Sequence, residues 1–401
     1  MRQRVDIFSS YDEFHAGARV KITDEIALKW QAEFPILKKK IHAANCSQSP
    51  QSKRVRKAIH TYLDSWREFG MDWELWIEET YKAKQAFAKL IHAHPDEIAI
   101  STSASAATAS IASALDPRGD RKKIVATEAE FPTVAHVWLG HQKYGFHVDF
   151  IPLTNGTIPS EAYENFVDKK TALASVTHVY YQNGFKQNLK KIAETVHQSG
   201  AYFFVDAYQS LGTCHVDVRE MDVDILISGN LKYLLGIPGV AFIYVKKELV
   251  ETLHPAVTGW FGQENPFAFD CSRLDFAKEG RRFDTGTPPI IAAYAARAGM
   301  EIINEVNPKH IEKRIQFLSE LAIQKAQEYN LNYMGPDKVT NKGATTAIKV
   351  PKPHTVESLL KKRNIIASAR GNVIRIAPHF FTTEDDIQKI MFKLKKVMKS
   401  L

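Results

Sequence analysis

Residues 202–245 read YFFVDAYQSLGTCHVDVREMDVDILISGNLKYLLGIPGVAFIYV. Tyr202 to Val205 form an apolar run rich in aromatic and β-branched types. Such a run predicts a strand buried on both faces, and this one ends on an acid, Asp206. A second apolar run, Asp224 to Ile227, ends in Ser228-Gly229, and Lys232 follows three residues later. A third strand is predicted from Val240 to Val245. An acid at one strand end and a lysine just past the next stand on the same edge of a parallel sheet. That edge is where α/β proteins bind ligands.

The pair suits one chemistry in particular. Pyridoxal phosphate needs a lysine amine to attack its aldehyde and form a Schiff base. It also needs a carboxylate to keep its pyridine nitrogen protonated, so that the ring accepts the electrons of a substrate carbanion. Lys232 and Asp206 are the candidates for these roles. Gln209 brings an amide within reach of the ring's phenolic oxygen, and Ser228 with a helix start before Lys232 is expected to help hold the phosphate. Taken singly, Asp206 reads as a helix cap and Lys232 as a surface lysine. The joint pattern, V-D-x-x-Q and then S-G-x-x-K, reverses that weighting. It resembles the class V aminotransferase family of fold-type-I pyridoxal phosphate enzymes, which includes cysteine desulfurases, selenocysteine lyases, kynureninase and isopenicillin N epimerase.

Apolar strands are predicted at 97–101, 123–127, 147–152, 172–178, 202–206, 224–229 and 239–245, mostly separated by helix-length segments. This predicts an α/β fold with a largely parallel, doubly wound sheet, its last strand open to running antiparallel. The resemblance implies the same seven-stranded sheet. Residues 1–35 read as an arm and one helix, 36–290 as the large cofactor-binding domain, and 291–401 as a smaller C-terminal α+β domain.

With 401 residues, 44% of them apolar, the chain has ample material for a large core. No run is long enough to span a membrane, and the N-terminus lacks a signal-peptide core, so a cytoplasmic location is expected. The net charge is +8, from 53 basic and 45 acidic residues. The lysine clusters read as solvated helix faces rather than a nucleic-acid surface, and a positive field favours anionic cofactors and substrates. Cys46, Cys214 and Cys271 lie far apart with no C-x-x-C, which implies neither a disulfide framework nor a metal site.

The resemblance implies further site residues. In STSASAATAS (101–110), Ser105 and the backbone amide of Ala106 fall where the family grips the cofactor phosphate, although Ala104 stands where many members have glycine. In EAEFPT (128–133), Phe131 falls where a flat side chain stacks on the pyridine ring, and Phe131-Pro132-Thr133 resembles the kynureninase-like branch. Tyr181 or Gln182 falls near the ring. Trp260, in Gly259-Trp260, falls near the phosphate. Thr285 and Thr287, in RFDTGTP (282–288), fall on a turn that serves the neighbouring subunit's phosphate, which implies a homodimer with shared sites. Arg375 is the implied clamp for the substrate carboxylate, with Arg370 as second candidate, and Asn45 falls in the substrate pocket. No cysteine follows Cys271, so the persulfide-forming nucleophile of desulfurases is missing. The expected activity is that of a lyase on an amino acid, with an aminotransferase, an epimerase or a non-catalytic binding protein of this fold as alternatives.

Overall fold

The computed structural model describes residues 22–116 and 118–401. Of the N-terminal arm and helix expected over 1–35, residues 1–21 lie outside the described residues. The helix is Asp24–Gln31, capped by Thr23, whose hydroxyl accepts the amide of Ile26.

Seven strands form one sheet. Their order across it is Ile98–Ser101, Ala241–Val245, Ile225–Gly229, Tyr202–Asp206, Thr171–Thr177, Lys123–Thr127 and His147–Ile151. Ala241–Val245 pairs antiparallel with both of its neighbours, and the other six strands share one direction. The two-residue period of a strand sends alternate side chains to opposite faces. Phe203 and Val205 accordingly join one apolar core with Val176, Leu226 and Phe242. Phe204 joins the core on the other face with Leu173, Ile225, Ile227 and Ile243. Each buried aromatic or branched side chain contributes about 1.5–3 kcal/mol. The two-sided cover explains why these strands are apolar throughout rather than alternating.

Two helices, Lys53–Phe69 and Trp73–Ile91, are separated at Gly70, whose φ of +71° terminates the first. Ile290–Val306 packs its Tyr294 and Ala295 against Val55 and Trp76 of these helices.

Toward the C-terminus a four-stranded antiparallel sheet follows the order Ser368–Arg370, Val373–Ile376, Thr346–Lys349 and Asn332–Tyr333. Leu318 from the helix Pro308–Glu328 and Ile390 and Leu394 from the helix Glu384–Lys399 share a core with Ile348, Ile374 and Ile376. The last helix starts as its sequence suggests, with Thr383 and Asp386 in a reciprocal capping box. Between Ile365 and Arg370 the chain forms two short strands because it changes partner. Ile365–Ile366 pairs parallel with Ile41–His42, and Ser368–Arg370 pairs with Val373–Ile376. The chain around Ile41–Ala44 is thereby tied to the C-terminal layer, where Ala43 is part of its core and Ala44 bridges to Ala377. Among the described residues no helix is long and apolar enough to cross a membrane.

Candidate active site

Parallel strands place their C-terminal ends on one edge, and here that edge is concave. Asp206 ends its strand beside Thr177, its registered neighbour in the Thr171–Thr177 strand, and Ile227 on the other side. Beyond Gly229 the chain enters a turn rather than the expected helix start. The amides of Leu235 and Gly236 close it on the carbonyls of Lys232 and Asn230, at 3.0 Å each. This turn carries Lys232 into a pocket that it shares with Asp206, Gln209, Phe131, Thr177, Ser105 and Tyr208.

The electrostatics of the pair follow from burial. Lys232 is pushed down to about 7, because burial disfavours the ammonium, and the charges of Arg375 and Arg370 act in the same direction against the opposing pull of Asp206. Asp206 is 5% exposed, and burial raises its carboxyl above the usual range while the amide of Tyr208 and the charge of Lys232 oppose that shift. Its Oδ1 accepts the Tyr208 amide at 2.9 Å.

Two aromatic rings flank the amine. Lys232 Nζ lies 3.9 Å from the centroid of the Tyr208 ring and 5.5 Å from that of Phe131. Phe131 in turn meets Tyr181 edge to face at 5.2 Å. Tyr208 was not among the expected site residues. Its ring packs against Gly229, where a Cβ would come within 1.7 Å of Tyr208 Cε2. The glycine of the S-G-x-x-K pattern thus makes room for an aromatic floor. A second unexpected residue is Glu130. It is 5% exposed, accepts the hydroxyls of Ser175 at 3.2 Å and Thr177 at 2.7 Å, and is raised by burial to about 8.

Other expected residues depart from their assigned places. Ala106 does not offer a free amide, because Ser103 Oγ caps it at 3.1 Å at the start of the helix Ala104–Ala112. The pocket is instead lined by Ser103, Ala104 and Ser105 from this helix start. Ser228 is buried beside the pocket rather than in its lining, with its hydroxyl donating to the Gly229 carbonyl at 2.9 Å. Gln209 lines the pocket, and its Nε2 donates to the Cys46 carbonyl at 3.0 Å. Asn45 is fully buried. Its Nδ2 donates to the Ala377 carbonyl at 2.7 Å and its Oδ1 accepts the Ser49 hydroxyl, so it fastens a loop rather than lining a substrate pocket.

Arg375 stands behind the pocket wall. Its guanidinium donates to the carbonyl of Tyr181 at 2.8 Å and to the hydroxyls of Ser47 and Ser368 at 2.9 and 2.7 Å. Its Nε is closed off from solvent without a partner. Arg370 is exposed.

Thr285, Thr287 and Trp260 form a separate group, outside the Lys232 pocket of the same chain. The buried ion pair of Asp284 with Lys84, at 2.6 Å, anchors the Thr285–Thr287 turn, and Asp284 also accepts the amide of Ile100 at 2.7 Å. Gly259 packs against this turn, where a Cβ would meet the Thr285 carbonyl at 2.3 Å. Trp260 beside it stacks with Phe269 at 5.9 Å.

The donor set fits pyridoxal phosphate. An amine poised to lose its proton near neutrality faces a buried carboxylate between two aromatic rings, and hydroxyls crown an adjacent helix start. These features define a fold-type-I pyridoxal-phosphate enzyme. The chain belongs to the class V aminotransferase family, since the family model described as "Aminotransferase class-V" matches residues 48–387. It is 42% identical over 355 residues to the uncharacterized aminotransferase YcbU of Bacillus subtilis (strain 168), covering 88% of this chain and 94% of that protein. It is 26% identical over 392 residues to kynureninase of Bacillus anthracis, covering 92% and 91%. Its fold is similar to that of the apo cysteine desulfurase from Thermococcus onnurineus NA1, with a TM-score of 0.84 at 22% identity over 93% of this chain and 98% of that one.

Proposed function

We propose that this enzyme is a lyase acting on an amino acid that carries a leaving group on its β-carbon. The observation that carries the reading is the Lys232 amine, poised near 7 in the same pocket as Asp206 and flanked by Phe131 and Tyr208. Bound there, pyridoxal phosphate supplies an electron sink for the substrate's α-carbon. Lys232, neutral above about pH 7, takes the α-proton. Asp206 would hold positive charge at the pyridine nitrogen, and Phe131 and Tyr208, which flank the Lys232 amine, would help exclude water. Ser103 and Ser105 serve the phosphate. Arg375 takes the substrate carboxylate as the hydroxyls of Ser47 and Ser368 give way, which a fork-shaped guanidinium suits.

Two features favour elimination without a protein persulfide. No cysteine follows Cys271, and Phe131-Pro132-Thr133 lies in a chain similar to kynureninases. A second reading, an aminotransferase, is favoured by the 42% identity to a protein so named. A screen of amino acids with the purified enzyme separates them. Release of pyruvate, alanine or sulfide without an added keto acid supports the lyase. Strict dependence on a keto acid supports amino transfer and overturns it.

The Thr285, Thr287 and Trp260 group is proposed to serve the partner's site in a homodimer. Mixing Lys232→Ala chains with Thr285→Ala/Thr287→Ala chains then makes heterodimers with one intact site each. Activity should return to about a quarter of wild type after random exchange. Confirmed exchange without recovery would refute sharing.

A further inference from the structure

Away from the cofactor edge, two histidines and an acid that are distant in sequence converge on the opposite edge of the sheet. His92 directly follows the helix Trp73–Ile91. His215 and Asp217 lie on the loop that leads into the N-terminal end of the Ile225–Gly229 strand, whereas the cofactor pocket lies beyond its C-terminal end. One ligand-capable atom from each of the three lies within 4.8 Å of the other two.

Each member is held in place by contacts of its own. His92 sits in the left-handed region at φ 59°, fixed there as its backbone amide donates to the Ala88 carbonyl. Next to it, the amide of Val218 donates to the Ile91 carbonyl at 3.1 Å, which ties the histidine-bearing helix end to the Asp217 loop. Asp217 uses Oδ1 to accept the amides of Arg219 and Glu220, both at 3.0 Å, and this turns Oδ2 toward His92 Nδ1 at 3.0 Å. The amide of His215 donates to Glu312 at 3.2 Å, and its ring meets that of His92 at 5.2 Å. Its Nδ1 is closed off from solvent with no hydrogen-bond partner, an orphaned ring nitrogen. Lys309 and Glu312, from the helix Pro308–Glu328, are charges of opposite sign that act on His215 in opposite directions.

We infer that His92, His215 and Asp217 form a binding site for a divalent transition metal ion of the zinc class. Two imidazoles and one carboxylate are the donors such ions take, and hard ions such as magnesium prefer all-oxygen sets. The 3.0 Å contact of His92 Nδ1 with Asp217 Oδ2 is a hydrogen-bonding distance, and opening it by roughly 0.3–0.6 Å gives the spacing of two ligands in a tetrahedron with bonds of about 2.0–2.2 Å. His92 is exposed, which leaves the remaining coordination positions to water. The two amides on Asp217 Oδ1 orient that ligand from behind. A bound ion would fasten the end of the helix Trp73–Ile91 to the loop before the Ile225–Gly229 strand, and so stiffen the sheet edge remote from catalysis. The pattern is invisible in sequence because the ligands come from two distant segments with no motif spacing.

The test uses the cofactor-loaded enzyme, treated with chelator and then dialysed against zinc chloride. Wild type should retain one zinc ion per chain and show a raised unfolding midpoint with zinc but not with magnesium. His92→Asn keeps a residue that tolerates the left-handed backbone, and His215→Gln is a second, independent variant. Both should weaken zinc binding by at least about tenfold and abolish the midpoint shift, with the visible cofactor absorbance unchanged. Absence of saturable zinc binding by wild type would overturn the site and leave His92 and Asp217 as an ion pair only. So would zinc binding that survives unaltered in both variants.

Discussion

Among the described residues two lysines are pushed down to about 7, and of these two only one lines a described pocket. Lys232 and Lys342 are both depressed chiefly by burial. Lys342 is 2% exposed, and its Nζ donates to the Ser319 hydroxyl and the Gly343 carbonyl, each at 3.0 Å. Among the described residues no carboxylate pairs with it, and it lines none of the described pockets. Lys232 is half-buried and lines a pocket with Asp206, Tyr208 and Phe131. A lowered proton affinity therefore does not by itself mark a reactive amine. The surrounding acid, ring faces and access do.

The comparison can be pressed hardest at its acid. Asp206→Asn should keep the fold and lower turnover by roughly 10²–10³-fold, because the pyridine nitrogen loses its counter-charge in a dry site. Turnover near wild type would mean that another group serves the ring.

Tyr208→Ala sharpens it at the pocket floor. Removing one aromatic face should weaken cofactor binding by about tenfold, while Tyr208→Phe should bind nearly as well as wild type. Equal loss in both variants would assign the effect to the hydroxyl instead of the ring.

The smallest effect concerns Lys342. Its folded value lies below its unfolded value, so the folded state binds fewer protons between about pH 7 and 10.5. Stability therefore rises with pH through that window, and the burden is largest below it. Lys342→Met should retain activity. Its advantage in unfolding midpoint over wild type, about a few degrees at pH 7, should shrink by pH 9.5. An advantage that does not change with pH would mean that Lys342 folds with its ordinary proton affinity.

The sheet was legible because its strands are buried on both faces and so appear as continuous apolar runs, of which Tyr202–Asp206 is the clearest. Asp206 and Lys232 were legible because each sits just where such a run stops. Tyr208 was not. Its role depends on a missing Cβ at Gly229 in the neighbouring strand, and sequence order does not show that proximity. Glu130 was missed for a similar reason, since a glutamate in a loop reads as solvated until Ser175 and Thr177 are seen to enclose it. Ala106 and Asn45 went astray through local hydrogen bonding. The Ser103 hydroxyl takes the amide of one, and Ala377 and Ser49 engage the side chain of the other. The Thr285–Thr287 turn was legible as a motif, but one chain does not bring it to the Lys232 pocket.

The most direct test traps the reactive lysine itself. The purified enzyme, saturated with pyridoxal phosphate, is reduced with borohydride, digested, and the modified peptide is sequenced by mass spectrometry. The expected result is a single phosphopyridoxyl adduct on Lys232, absent from Lys232→Ala, with Lys342 unmodified in both. An adduct on Lys342 or another lysine in the wild-type protein, or none at all, would contradict the assignment of Lys232 as the cofactor-binding residue.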